Sequence, residues 1–302
     1  MIARAPGKIV VSGAYAVLEG APALVAAVDR YVTADASRTS ELVTEEVRAA
    51  IDAGVLEAAP AFDASALRAP MPDGTTRKLG LGSSAAILVA SIGAALAGAI
   101  RDEAALRKAV FPLALAAHRK AQPRGSGIDV ASSVFGGIVA CRLAPDHALD
   151  VMPFNLPEGV VLEVFACPTA ASTGALVEKV QALRTTDPAT YRHLLDEIAD
   201  GAQAALEAQD AAGFVQAIAA QIDALAELGR AASAPIVVDD VAELRPFAQA
   251  EGASFGPSGA GGGDIALWVG RAPSSAAFRA RAAARNLDPL DTRIGPPGLS
   301  VG

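Results

Sequence analysis

Apolar positions along this chain follow two rhythms. Short continuous apolar runs bounded by glycine, proline or charged residues predict strands at 9–11, 23–32, 138–143, 160–167 and 265–269. Longer alanine-rich stretches predict helices at 84–100, 103–119, 129–135, 175–183, 191–206, 212–228 and 275–285. In the 212–228 stretch Ile218, Ile222 and Leu225 fall on one helical face. Pro112 predicts a bend in the second helix, and Gly136-Gly137 predicts the end of the third. Residues 122–127 read as a loop, 155–159 as a crossing between halves, and 255–263 as a glycine-rich turn. Residues 37–74 mix acidic, alanine and proline residues without a period, and Met71-Pro72-Asp73-Gly74 reads as a turn within them. No internal repeat is visible, and strands and helices mix in both halves, so the expected class is α+β.

The 302 residues are too many for one small core and fit two domains of about 150 residues. Apolar residues reach 52% while aromatics are only 4%, so the core is expected to be built from small side chains. One uncharged run, 79–100, has the length of a membrane span. Glycine, serine and alanine fill most of it, which favours a buried helix over a span built from Leu, Ile, Phe and Val. Pro6, Gly7 and Lys8 fall where the apolar core of a signal peptide would begin, and Glu19 breaks the run that follows, so no signal peptide is expected.

A net charge of −8 gives no basic footprint for nucleic acid. An anionic small molecule remains compatible with that charge, through a local nest of backbone N–H groups and a few basic side chains. Two cysteines, Cys141 and Cys167, and three scattered histidines, His118, His147 and His193, support neither a disulfide framework nor a cysteine zinc site. The expectation is a cytoplasmic protein with no membrane and no nucleic-acid partner.

Three stretches carry candidate chemistry. In Lys78-Leu-Gly-Leu-Gly-Ser-Ser-Ala-Ala86, glycines allow close backbone approach, and the following helix turns its free N–H groups and positive dipole end to a ligand. Phosphate is the natural guest; Ser83 and Ser84 can cap the helix or bind Mg²⁺. The stretch lacks the Gly-Lys-Ser/Thr ending of a Walker loop. In Gly125-Ser-Gly-Ile-Asp129, the carboxylate can take a proton, orient a lysine, or simply cap its own helix. In Phe255-Gly-Pro-Ser-Gly-Ala-Gly-Gly-Gly-Asp264, five glycines in eight residues before an apolar strand predict a tight loop rich in free N–H groups, with a plain surface turn as the alternative.

The order and spacing of Pro6-Gly7-Lys8, Gly80-Leu-Gly-Ser-Ser-Ala-Ala86 and Ser258-Gly-Ala-Gly-Gly-Gly-Asp264 resemble the three motifs of the GHMP kinases, nearly end to end. Ala117-His-Arg-Lys-Ala-Gln122, Gly125-Ser-Gly-Ile-Asp-Val-Ala131 and Ala171-Ser-Thr-Gly-Ala-Leu-Val177 resemble the phosphomevalonate kinase branch of that family. The resemblance implies an N-terminal α/β domain over 1–150, a C-terminal ferredoxin-like domain over 151–302, and a cleft between them where ATP meets a small acceptor. It implies that Lys8 and Asp129 flank the transferred phosphoryl group. Gly80, Leu81, Gly82, Ser83, Ser84 and Ala85 would hold the triphosphate, with Ser84 placing Mg²⁺. On the acceptor side it implies Ser126, Gly127, Ser172 and the loop Ser258, Gly259, Ala260, Gly261 and Gly262. Arg119, Lys120 and Arg124 are nearby cations, each equally readable as a solvated face.

The sequence departs from the family pattern in four places. Gly13-Ala14-Tyr15 lacks the carboxylate of the usual Gly-Glu-Tyr or Gly-Glu-His, and His118 stands where many members carry a metal-binding glutamate. The 37–74 region is short for an adenine grip, and Pro123-Arg124 lengthens the loop before Gly125. The alternatives are a kinase for mevalonate or a sugar, and a non-catalytic ligand-binding protein on the same fold.

Overall fold

The computed structural model describes residues 1–70, 75–169 and 173–302. The predicted turn at Met71–Gly74 therefore lies outside the described residues.

In chain order the first half comprises β1 (Ile2–Ser12), β2 (Pro22–Thr39), α1 (Glu45–Asp52), β3 (Pro60–Asp63), β4 (Arg68–Pro70), β5 (Thr76–Lys78), α2 (Ser83–Leu96), α3 (Glu103–Ala121), α4 (Ile128–Phe135), β6 (Ile138–Leu143) and β7 (Leu149–Pro153). The second comprises β8 (Val161–Ala166), α5 (Thr173–Thr186), α6 (Pro188–Glu207), α7 (Ala211–Ala231), α8 (Asp239–Ala250), β9 (Ser254–Pro257), β10 (Ile265–Gly270), α9 (Ala276–Ala283), β11 (Asp288–Leu290) and β12 (Ser300–Val301). The strands at 9–11 and 23–32 extend well beyond their apolar runs, because Ile2 to Pro6 pair with Tyr31 to Asp35 further along β2.

The first sheet runs β12-β1-β2-β6-β7, with β3 also on β2. α2 lies under β1 and β2 and is flanked by α1, α3 and α4, so it is covered on every side. That position explains its uncharged sequence: ten of its residues from Ala85 to Ala94 are buried. A helix that is apolar all round belongs either in a core or in a bilayer, and here protein surrounds it. Among the described residues, the helix long and apolar enough to cross a membrane is instead α7, which packs against α6 and the second sheet.

The second sheet, β11-β8-β10-β9, is antiparallel throughout. Its strands alternate as a sheet covered on both faces requires. Val164, Ile265, Leu267 and Val269 share one buried cluster with Phe214, Ile218 and Ile222 of α7. Phe165, Ala266 and Trp268 share another with Leu244 of α8 and Phe278 of α9. Four aromatics meet there, Phe165, Phe255 and Trp268 all approaching Phe278 edge-on at 4.6–5.9 Å between centroids. The two halves give the two-domain α+β organisation expected of the family resemblance.

The chain does not end in the second half. After β11 it crosses back over the first sheet, with bridges Val28 to Ile294 and Gly136 to Pro297, and closes as β12 on β1. Leu299 is fully buried where α2 presents Gly93; a Cβ at Gly93 would sit 2.5 Å from the Leu299 Cδ1 atom.

Candidate active site

The site grows from β1. Lys8 follows Gly7, and its amide donates to the Leu81 carbonyl at 2.8 Å, tying the strand to the loop before α2. A side chain at Gly7 would lie 2.8 Å from that same carbonyl, so glycine lets the loop cross the strand. Two glycines with positive φ then shape the loop. At Gly82 (φ +74°) a Cβ would fall 2.9 Å from Lys8 Cγ, and at Gly80 (φ +72°) 2.4 Å from Asp264 Cβ. Gly80-Leu81-Gly82 is thus a saddle, with the Lys8 stem against one glycine and the Asp264 side chain against the other. Burial lowers the pKa of the Lys8 ammonium, and the carboxylates of Asp129 and Asp264 pull it back up.

The saddle delivers the chain into α2 with Gly82 as the N-cap residue and no side-chain cap. The first amide of this turn with an internal acceptor is Ala86, bonded to the Gly82 carbonyl at 3.1 Å, so those of Ser83, Ser84 and Ala85 point out of the helix mouth. Ser83 and Ser84 are half-buried and make no side-chain bond among the described residues. Of the two uses read from the sequence, capping is therefore not the one adopted. Leu81 and Ala85 bury their side chains and present backbone only.

Asp129 is not the cap of α4 either. Gly127 (φ +80°) is the N-cap, and Asp129 sits in the first turn with one oxygen accepting from the Val130 amide at 2.9 Å. Its Oδ1 also lies 3.8 Å from His118 Nε2, and its side chain is one-quarter exposed towards the cleft. His118 is 2% exposed, and its Nδ1 has no hydrogen-bond partner among the described residues. The loop between them is anchored from a region whose sequence was unreadable. Glu46, buried in α1, accepts from Gln122 Nε2 at 2.6 Å, and the Gln122 carbonyl accepts from Gly125 N at 2.9 Å.

The third loop hangs from β1. Ser258 Oγ accepts from Val10 N at 2.9 Å and donates to the Val10 carbonyl at 3.1 Å. Its hydroxyl is thereby committed to the scaffold. Tyr15 OH donates to the Ala260 carbonyl at 2.7 Å, and Gly262 N donates to Ile236 O at 3.1 Å. The amides of Gly259, Ala260 and Gly261 find no acceptor among the described residues. A structured loop is present, with three N–H groups free of acceptors among the described residues, as the glycine pattern predicted.

Lys8, Gly80, Ser126, Asp129, Ser258, Gly259, Ala260 and Gly261 line one cleft of about 160 Å³. Leu81 to Ala85 form the helix mouth beside Lys8. Gly127 packs against Leu115, where a Cβ would lie 2.3 Å from Cδ1, and Gly262 is bonded to Ile236. Ser172 lies outside the described residues. Ala14 and Tyr15 line the cleft where the family motif has a carboxylate and an aromatic, so a methyl group stands in place of a negative charge. The residue reasoning from sequence passed over is Asp264. It closed the third motif, and the tightness of Gly80 was the available signal, legible only once a neighbour is known.

Residues 47–137 match the GHMP kinases N terminal domain. The chain is 32% identical to mevalonate kinase from Archaeoglobus fulgidus, over 90% of this chain and 94% of that protein. The chain belongs to the GHMP kinase family. As a member it is an ATP-dependent phosphotransferase. This GHMP kinase is also 28% identical to phosphomevalonate kinase from Streptomyces sp. (strain CL190), over 88% of this chain and 89% of the relative. Its fold superposes on Streptococcus pneumoniae phosphomevalonate kinase, solved with phosphomevalonate and AMPPNP, at a TM-score of 0.75 and 18% identity, covering 97% and 99% of the two chains.

Proposed function

We propose that this kinase transfers the γ-phosphoryl group of ATP to phosphomevalonate, forming diphosphomevalonate. The observation that carries the reading is the pairing of two separate sets of outward backbone amides, at 83–85 and at 259–261, with Lys8 on the cleft wall. One anion site suffices for ATP with a neutral acceptor; a second suits an acceptor that brings its own phosphate. In this reading the mouth of α2 receives the triphosphate, and the third loop, with Ser126 across the cleft, receives the acceptor.

The chemistry asks little covalent help of the protein. A phosphate monoester has a second pKa of about 6, so at neutral pH its oxygen is already a nucleophile. That oxygen forms the new bond to the γ-phosphorus as the bond to the ADP oxygen breaks. Lys8 offsets charge on the equatorial oxygens of the group in flight, and Asp129 keeps the ammonium protonated and oriented. Mg²⁺, when bound, neutralises phosphate charge. The residues fit it modestly: no group of three His, Cys, Asp or Glu among the described residues could hold a metal alone, whereas Ser84 offers an unpartnered hard oxygen beside the triphosphate. An ion held mainly by nucleotide and water matches that set.

Ser84→Ala is expected to raise the Mg²⁺ concentration needed for half-maximal ATP turnover while leaving acceptor affinity unchanged. A titration of Mg²⁺ at fixed ATP reads this, and an unaltered midpoint removes Ser84 from the metal site.

Mevalonate is the second reading, favoured by the higher identity to the A. fulgidus enzyme. ATP consumption with each acceptor separates the two. The expected preference, kcat/KM for phosphomevalonate over mevalonate, is on the order of 10²-fold or more, because a site built for a charged group leaves its donors unpaired when that group is missing. A preference for mevalonate sinks the assignment.

A further inference from the structure

The turn that follows β1 holds an unusual residue. Tyr15 has φ 62° and ψ −52°, and the Ala14 carbonyl accepts from the Ala16 amide at 2.7 Å across it. This is the positive-φ form of the γ-turn, rare and strained for a bulky side chain. Such a conformation persists where the surroundings over-determine it, and it marks places where geometry matters. Here the surroundings are visible. Gly13 N and Ser12 Oγ both donate to Gln221 Oε1, at 2.9 and 3.0 Å, fixing the chain just ahead of the turn to α7. The Tyr15 ring is buried in a cluster with Leu176, Val180 and Leu194 of the second half.

What the strain achieves is the placement of one hydroxyl, which donates to the Ala260 carbonyl at 2.7 Å. In a planar trans peptide the carbonyl of one residue and the N–H of the next point in opposite directions. With the Ala260 oxygen held by Tyr15, the Gly261 amide is turned away from the ring, and it is one of the three amides of the loop with no acceptor among the described residues. The next peptide is anchored by Gly262 N on Ile236 O, but among the described residues the 260–261 peptide itself is bonded only through the Ala260 carbonyl to Tyr15. Gly261 has φ +78°, and glycine accepts either sign of φ at little cost, so the 260–261 peptide could rotate and offer the cleft a carbonyl instead. A carbonyl oxygen there would repel a phosphate.

We propose that Tyr15 is a positioning residue that locks the Ala260–Gly261 peptide with its N–H outward, and so sets the kinase's affinity for the phosphate of its acceptor. The proposal rests on the acceptor-side reading of the third loop.

Tyr15→Phe tests it, because the ring and its packing stay and only the hydroxyl goes. The ligand-free crystal structure of the variant is expected to show the 260–261 peptide rotated or in two orientations. The KM for phosphomevalonate is expected to rise roughly tenfold, as for loss of one well-placed hydrogen bond. The KM for ATP should stay within about twofold and the melting midpoint within about 2 °C, since burial is unchanged. An unmoved peptide overturns the proposal, as does an unmoved acceptor KM. An equal rise in both KM values with a lower midpoint also overturns it, by reducing Tyr15 to scaffold. If the wild-type enzyme ignores phosphomevalonate, the acceptor assignment falls, while the ligand-free structure still decides whether the hydroxyl locks the peptide.

Discussion

Lys8→Met is expected to cut turnover on the order of 10²-fold or more while ATP affinity changes far less, because in the proposed reaction the ammonium acts on charge that develops in the transition state. Five lysines stand against twenty arginines in this chain, yet a lysine occupies the one position whose stem packs on Gly82 and whose charge sees both Asp129 and Asp264. A compact point charge suits a phosphoryl group whose negative charge spreads over three oxygens. Methionine retains the stem against Gly82. Stability should not suffer. A lysine whose folded pKa lies below its unfolded value costs stability while it is charged in the fold, and that cost is relieved as pH rises through the folded pKa. Removing the charge removes the cost, so the melting midpoint at neutral pH should hold or rise. The wild-type rate should also fall on the alkaline side earlier than an exposed lysine would dictate, because burial lowers the Lys8 pKa. Steady-state kinetics with a melting curve read all of this. If affinity for ATP collapses and saturated turnover is normal, Lys8 is a binding residue. If neither moves, the chemistry lies elsewhere.

Asp129→Asn should lower turnover by a comparable factor, on the order of 10²-fold, with the fold intact because the change is nearly isosteric. The bond from Val130 N can be kept by an asparagine oxygen, so α4 should hold. What disappears is the negative charge that raises the Lys8 pKa against burial. The variant should therefore show a second signature: its remaining activity should drop at a lower pH on the alkaline side than that of the wild type. A pH–rate profile separates this from a purely structural role in the first turn of α4, which would leave the alkaline limb in place. Activity within a few-fold of wild type would mean that Asp129 serves α4 alone.

Most strands and helices were legible from periodicity because each carries its own signal. The 138–143 strand and the helices at 103–119, 191–206 and 212–228 agree with β6, α3, α6 and α7 to within a few residues. The 37–74 region was not legible, since α1 has eight residues, β3 four and β4 three, too short for a period to emerge. α8 was missed for a related reason: only Val241, Leu244 and Ala248 of its residues are buried, and Pro246 interrupts the pattern. β12 has two residues and is a strand only because β1 is there to pair with it.

The sequence by itself determined where the glycine loops of the cleft lie, because the conformational freedom of glycine is local. Gly80, Gly82, Gly127 and Gly261 take positive φ and free the amides beside them, and their spacing is written in the chain. Lys8 and Asp129 were singled out by the resemblance to the GHMP kinase motifs, Lys8 after Pro6-Gly7 and Asp129 after Gly125-Ser126-Gly127. Only the tertiary structure decided which charges meet. Asp264 lies over Gly80 and Lys8 over Gly82, near enough for the carboxylate to raise the Lys8 pKa, and Tyr15 reaches Ala260 across 245 residues of sequence. Ser258, read as an acceptor contact, turned out to hold β1 through Val10. Contacts of this kind depend on how the sheets and helices of the two halves pack, and no residue announces a distant partner by its type alone.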